Sequence, residues 1–156
     1  MNIFVLDTNP KIAATMLCDK HVVKMIVETA QILCTAASKL GHEVPYRPTH
    51  AKHPCTLWAG ESASNWSWLI EHGLEMCEEY TRRYNRTHKT QSVIEWCKSS
   101  NTGPTRDIGL TPFRLAMPDQ YKSDDVVMSY RDYYICEKSR FAKWKTEQPM
   151  WWAAKE

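Results

Sequence analysis

The stretch from Pro10 to Ser38, PKIAATMLCDKHVVKMIVETAQILCTAAS, decides the fold. At about 100° per residue, Lys20, His21, Lys24, Glu28, Gln31 and Thr35 fall within an arc of roughly 100°. Val22, Val23, Met25, Ile26, Val27, Ala30, Ile32 and Leu33 fill nearly all of the remaining circumference. A helix that is apolar around most of its girth is buried, so its few polar groups must be paired or face a cleft. Thr8-Asn9-Pro10 supplies a cap and a proline at the first turn, and Gly41 closes the helix. The stripe has a bland reading as the solvent edge of a buried helix. Its mixture of an imidazole, an ammonium, a carboxylate and an amide in successive turns reads equally as a site. Glu28 beside Lys24 is then the candidate acid or base, and His21 a group that holds a phosphate or positions a substrate.

Outward from this helix the pattern stays helical. Met1–Asp7 reads as a short extended segment with Ile3, Phe4, Val5 and Leu6 available for burial. Residues 42–53 have two prolines and no period, and form a loop. A second long helix is predicted from Pro54 to about Tyr84. Trp58, Trp66, Leu69, Ile70, Met76, Cys77, Tyr80 and Tyr84 lie on one side, with Glu61, Asn65, His72, Glu75 and Glu79 on the other, as in an amphipathic surface helix. A shorter helix follows at about Gln91–Ser99, then an irregular stretch over residues 100–121, long enough to suggest function. Ser123-Asp124-Asp125 starts a last helix that runs to about Lys145. The tail QPMWWAAKE carries aromatic rings that look exposed; Trp151 and Trp152 either stack on bases or dock on the domain's own surface. The expected architecture is thus all-α, one compact helical domain over residues 1–156. It has two long helices, a shorter one, a long irregular loop and a C-terminal helix with an aromatic tail.

Composition narrows the class. The 156 residues carry a net charge of +2, divided as −3 over residues 1–81 and +5 over 82–156, which permits an anionic partner on the second half. Six cysteines, spread almost evenly and without a C-x-x-C pair, read as free buried thiols of a reducing compartment. No apolar run reaches the roughly 18 residues of a membrane span, and no signal peptide is evident, so a soluble cytoplasmic protein is expected. His50, His53 and Cys55 have no matching second cluster, so no metal or other cofactor is expected; His53 near a helix N-terminus is better suited to meeting an anion. Walker, G-x-G-x-x-G, G-x-S-x-G and H-E-x-x-H motifs are all absent.

Asp19-Lys20-His21 followed by Glu28, a loop ending in His53-Pro54, a second helix closing on Glu79-Tyr80-Thr81-Arg82-Arg83-Tyr84, and the terminal Gln148-Pro149-Met150-Trp151-Trp152 together resemble a known family. It is that of the small phage and bacterial pyrimidine-dimer DNA glycosylases of the endonuclease V type. The resemblance implies an all-helical domain that flips a base, attacks the sugar C1′ with its N-terminal α-amine, forms a Schiff base and then breaks the strand at the abasic site. Glu28 matches the glutamate that stabilises the sugar cation, and His21 matches a DNA-contacting histidine. Two family arginines fall at Val27 and Gln31. Asn2 is too bulky for ready removal of Met1, which leaves the nucleophilic amine on Met1 or, were Met1 removed, on Asn2. The implied partner is damaged or modified DNA. Lys24, Gln31, His53, Arg83, Trp151 and Trp152 join His21 as candidate binding residues. A viral origin would place the protein in a host cytoplasm. The alternatives are a non-catalytic nucleotide- or partner-binding protein of phage type and another nucleotide-processing enzyme that uses Glu28.

Overall fold

Seven helices and one 3₁₀ turn make up the computed structural model, which describes residues 1–153. They are α1 (Pro10–Met16), α2 (Asp19–Lys39), α3 (Pro54–Ala59), α4 (Ala63–Tyr84), α5 (Gln91–Ser99), α6 (Val126–Lys138) and α7 (Met150–Ala153), with the 3₁₀ turn at Asp119–Tyr121. No strand occurs among the described residues, so the chain is all-α. The last three residues of the aromatic tail, 154–156, lie outside them. No helix among the described residues is long and apolar enough to cross a membrane.

The stretch expected as one helix from Pro10 to Ser38 is two helices. Leu17 (ψ 138°) and Cys18 (ψ 162°) are extended between α1 and α2. Periodicity could not show this break, because both residues are apolar and buried. What supports it comes from far along the chain. Arg83 donates to the carbonyls of Leu17 (2.7 Å) and Thr15 (3.0 Å), and Trp144 Nε1 donates to Met16 O (3.0 Å). The Cys18 N–H meets the Tyr134 hydroxyl (3.0 Å), and the Asp19 N–H meets Lys143 O (2.7 Å). Five of the backbone groups freed by the break thus find partners, as burial demands.

The second long helix is likewise divided, into α3 and α4, at Gly60–Ser62. Here the irregular segment does the work. Ser62 donates to Asp107 and to Gly109 O, while Asp107 also accepts from the Ser64 N–H and hydroxyl. Asn65 and Trp58 bind Thr111. This stitching makes the segment an ordered strap over the α3–α4 junction. The exposed face of α4 is made by Ser67, Glu71, Glu78, Thr81 and Arg82 rather than by the residues expected there. Asn65, His72 and Glu79, expected on the solvent side, are buried alongside Leu69 and Met76. Asn65 is occupied by the strap, His72 Nδ1 by Pro10 O (2.9 Å), and Glu79 by Arg82 and Arg83.

Helix α4 packs on α1 and α2, and α2 on α3 and α5. The first residues thread between α2 and α6, where Phe4 touches His21 on one side and Tyr130 and Tyr134 on the other. Helix α6 ends at Lys138 rather than Lys145, and the chain then wraps back over α1. The tail docks on the domain: Trp152 is buried against Trp144 (4.8 Å between rings), and Trp151 is half-buried under Arg131. Met150 projects freely, at 88% exposure. Five cysteines are buried thiols as expected, whereas Cys136 is exposed.

Candidate active site

The buried start of the chain determines the site. Asn2 anchors it: its side-chain amide donates to Ala116 O (2.7 Å), and its Oδ1 accepts from the N–H groups of Ile3 (2.8 Å) and Phe4 (3.3 Å). Phe4 is thereby held at φ 57°, a left-handed conformation that costs an L-residue about 1–3 kcal/mol and that clusters at functional sites. Its ring stacks on His21 at 4.6 Å. With residues 2–4 fixed in this way, the α-amine of Met1 lies 2.9 Å from Glu28 Oε1. The Met1 side chain packs near Thr56 of α3.

Glu28 is 8% exposed, yet only one of its oxygens is engaged. Oε2 is buried without a hydrogen-bond partner in the protein, and Lys24 Nζ stands 3.9 Å from it, beyond hydrogen-bond reach. A buried carboxylate oxygen left open at a cavity is costly unless something arrives to use it. The cavity measures about 200 Å³, and Met1, Asn2, Phe4, His21, Lys24, Glu28, Tyr133 and Lys138 line it. Glu28 is the sole acidic side chain in that lining. Larger depressions, of about 370 and 500 Å³, lie along α4 and hold no such arrangement.

His21 is the other buried polar group. Its Nδ1 meets the Tyr134 hydroxyl at 2.8 Å, and that hydroxyl in turn binds Cys18. Burial, followed by the nearby charges of Lys138, Lys24 and Lys20, lowers its pKa to about 3. His21 is therefore neutral at physiological pH, and it orients Phe4 and Tyr134 rather than supplying charge. His53 uses Nδ1 to cap α3 through the Cys55 N–H (3.1 Å). Burial, followed by the charges of the terminal ammonium and His50, lowers its pKa against a smaller opposing pull from Glu28.

Residues 1–92 match the family model described as pyrimidine dimer DNA glycosylase. The chain belongs to that family. No curated protein and no solved structure matches it. The matched segment carries the amine, Glu28, His21, Lys24 and His53, whereas Ala116, Tyr133 and Lys138 come to the cavity from beyond it. A pyrimidine dimer DNA glycosylase acts on DNA, so the substrate class follows from membership.

The fold brings together Met1, Asn2, His21, Lys24 and Glu28, while His53 caps α3 outside the cavity lining. It does not bring Gln31, Arg83, Trp151 or Trp152 to the cavity. The Arg83 side chain is 0% exposed, and its donors are spent on Glu79, Asp19, Leu17 and Thr15. Phe4, Tyr133 and Lys138 escaped the sequence reading. The Phe4 conformation is set by tertiary contacts, and Tyr133 reads in sequence as one more ring of an aromatic helix. Among the described residues, no group of three or more His, Cys, Asp or Glu side chains is placed to hold a metal.

Proposed function

We propose that the protein is a DNA glycosylase with abasic-site lyase activity, acting on damaged pyrimidines through the Met1 α-amine. The contact between that amine and Glu28 Oε1 carries the reading. The unprotonated amine attacks C1′ of the deoxyribose. The N-glycosidic bond breaks, and its electron pair departs with the base, which takes up a proton. In this reading Glu28 Oε1 takes the proton that the nitrogen sheds, and Oε2, which has no hydrogen-bond partner, stabilises the positive charge that builds on the sugar. The C1′–O4′ bond then opens, O4′ takes up a proton, and the resulting protonated imine acidifies the C2′ hydrogen; loss of that proton expels the 3′-phosphate and breaks the strand. Hydrolysis of the imine returns the amine.

Asn2 supports Met1, rather than itself, as the nucleophilic residue. Its side chain closes the turn that delivers the preceding amine, so removal of Met1 would set the new terminus back from Glu28. Base flipping is part of the proposal, since C1′ is not accessible to an enclosed amine while the nucleotide stays stacked. The test is nicking of supercoiled plasmid with and without ultraviolet irradiation. The protein should nick irradiated plasmid preferentially, and Glu28→Gln should not. Equal or absent nicking of the two plasmids would defeat the proposal, and intact mass of the purified protein fixes whether Met1 is its first residue.

A further inference from the structure

Two ammonium groups, those of Lys24 and Lys138, line the cavity from two different helices, and Lys20 lies one turn before Lys24. Lys20 and Lys24 come from α2; Lys24 is 65% exposed. Lys138 is the last residue of α6. None has a carboxylate to itself. Lys20 lies over the Phe141 ring at 4.7 Å. Lys138 lies over the Tyr133 and Phe4 rings at 4.8 and 5.8 Å, with its nitrogen 3.4 Å from the Tyr133 hydroxyl. Lys24 shares Glu28 at 3.9 Å with the Met1 amine, which is closer. Among the described residues, neither Lys20 nor Lys138 forms an ion pair. A cation resting on an aromatic face keeps its charge available to an incoming anion.

The neutral His21 sits where their fields meet, and all three lysines contribute to lowering its pKa. The imidazole therefore supplies no charge to an anion, and the cavity's positive side-chain charge is that of Lys24 and Lys138. One carboxylate against two lysines and the chain's own ammonium is an arrangement that an anion would relieve.

We infer that Lys138, together with Lys24, forms a clamp for one backbone phosphate of the DNA strand whose sugar enters the cavity, with Tyr133 and Phe4 as the aromatic bed that positions Lys138. This rests on the reading of DNA as the substrate. It assigns a binding role to α6, which lies outside the family-matched segment. The clamp positions the sugar; it does not take part in bond making.

The experiment is a salt titration of binding to a duplex bearing one abasic site and to the same undamaged duplex, with borohydride trapping run in parallel. Loss of one phosphate contact lowers the slope of log K against log salt by about 0.9. Lys138→Gln should show that loss on both duplexes, so that its deficit against wild type shrinks about 3-fold between 50 and 200 mM salt. Lys138→Arg, which keeps the charge, should restore the slope. Lys98→Ala, beside a different depression, should leave it unchanged. An unaltered slope in Lys138→Gln overturns the clamp even if wild type traps normally, and so does an equal fall in Lys98→Ala. A wild type that binds DNA with the expected slopes but forms no trapped adduct overturns the lyase reading and leaves the clamp standing.

Discussion

Arg83→Ala tests how the break between α1 and α2 is maintained. The native guanidinium donates to Leu17 O at 2.7 Å, Thr15 O at 3.0 Å, Glu79 at 2.8 Å and Asp19 at 3.2 Å, from a side chain with no exposure. Truncation leaves two carbonyls without their charged donor. Glu79 retains Arg82. Hydrogen bonds to a charged group contribute about 1.5–3 kcal/mol each, and breaking a buried ion pair costs about 3–5 kcal/mol. These overlap, and about 4 kcal/mol is the net expectation. At roughly 2–4 °C per kcal/mol for a chain of this size, the melting temperature should fall by about 8–16 °C. Urea unfolding followed by tryptophan fluorescence gives the free energy directly. Arg82→Ala is the control, since that side chain is 50% exposed and its pair with the same carboxylate is worth at most about 1 kcal/mol. Equal and small losses in the two variants would refute the assignment of Arg83 to the break. Folded Arg83→Ala should bind DNA as wild type does, because Arg83 does not reach the cavity.

Asn2→Ala should lose about 2–3 kcal/mol of stability with its three hydrogen bonds, and about 100-fold in trapping rate, because the amine is no longer held at Glu28; a normal trapping rate in the folded variant would contradict the anchoring role. His21 and His72 have pKa values lowered by burial from 6.5 to about 3 and about 4, so each takes up a proton on unfolding. Their contribution to stability is therefore complete above pH 6.5 and is lost as pH falls towards 4, at up to about 2.7 kcal/mol per pH unit for the pair. Denaturant titrations between pH 7 and 4 should show this slope, and a flat profile would contradict it. At Gly103 an added Cβ would lie 2.6 Å from the Trp66 ring, so Gly103→Ala should cost about 1–3 kcal/mol by overpacking; an unchanged melting temperature would contradict the contact.

The all-helical class and the importance of α2 were legible because periodicity reports burial directly, and α2 is buried on most sides. Helix α5 was legible to the residue for the same reason. The two breaks were not, because their cause is not local: Arg83, Tyr134 and Trp144 reach Leu17, Cys18 and Met16 from more than sixty residues away, and the strap at Asp107–Thr111 reaches Ser62 and Asn65 from more than forty. Polar residues on α4 read as solvent-facing because sequence cannot distinguish a hydrated asparagine from one satisfied by a distant loop. Of the site, Glu28 and His21 stood out as polar groups on an apolar helix. Their roles diverge in the structure: Glu28 keeps an open oxygen at the cavity, while His21 is consumed by Phe4 and Tyr134. Lys138 shares no sequence pattern with them and meets them only through the packing of α6 on the first four residues.

Borohydride trapping on a duplex with a single abasic site, followed by mass mapping of the adduct, tests the central claim most directly. The account predicts one covalent adduct, reduced onto the α-nitrogen of Met1, strongly diminished in Glu28→Gln. An adduct on a lysine side chain, or none from a folded protein that binds the same duplex, would contradict it.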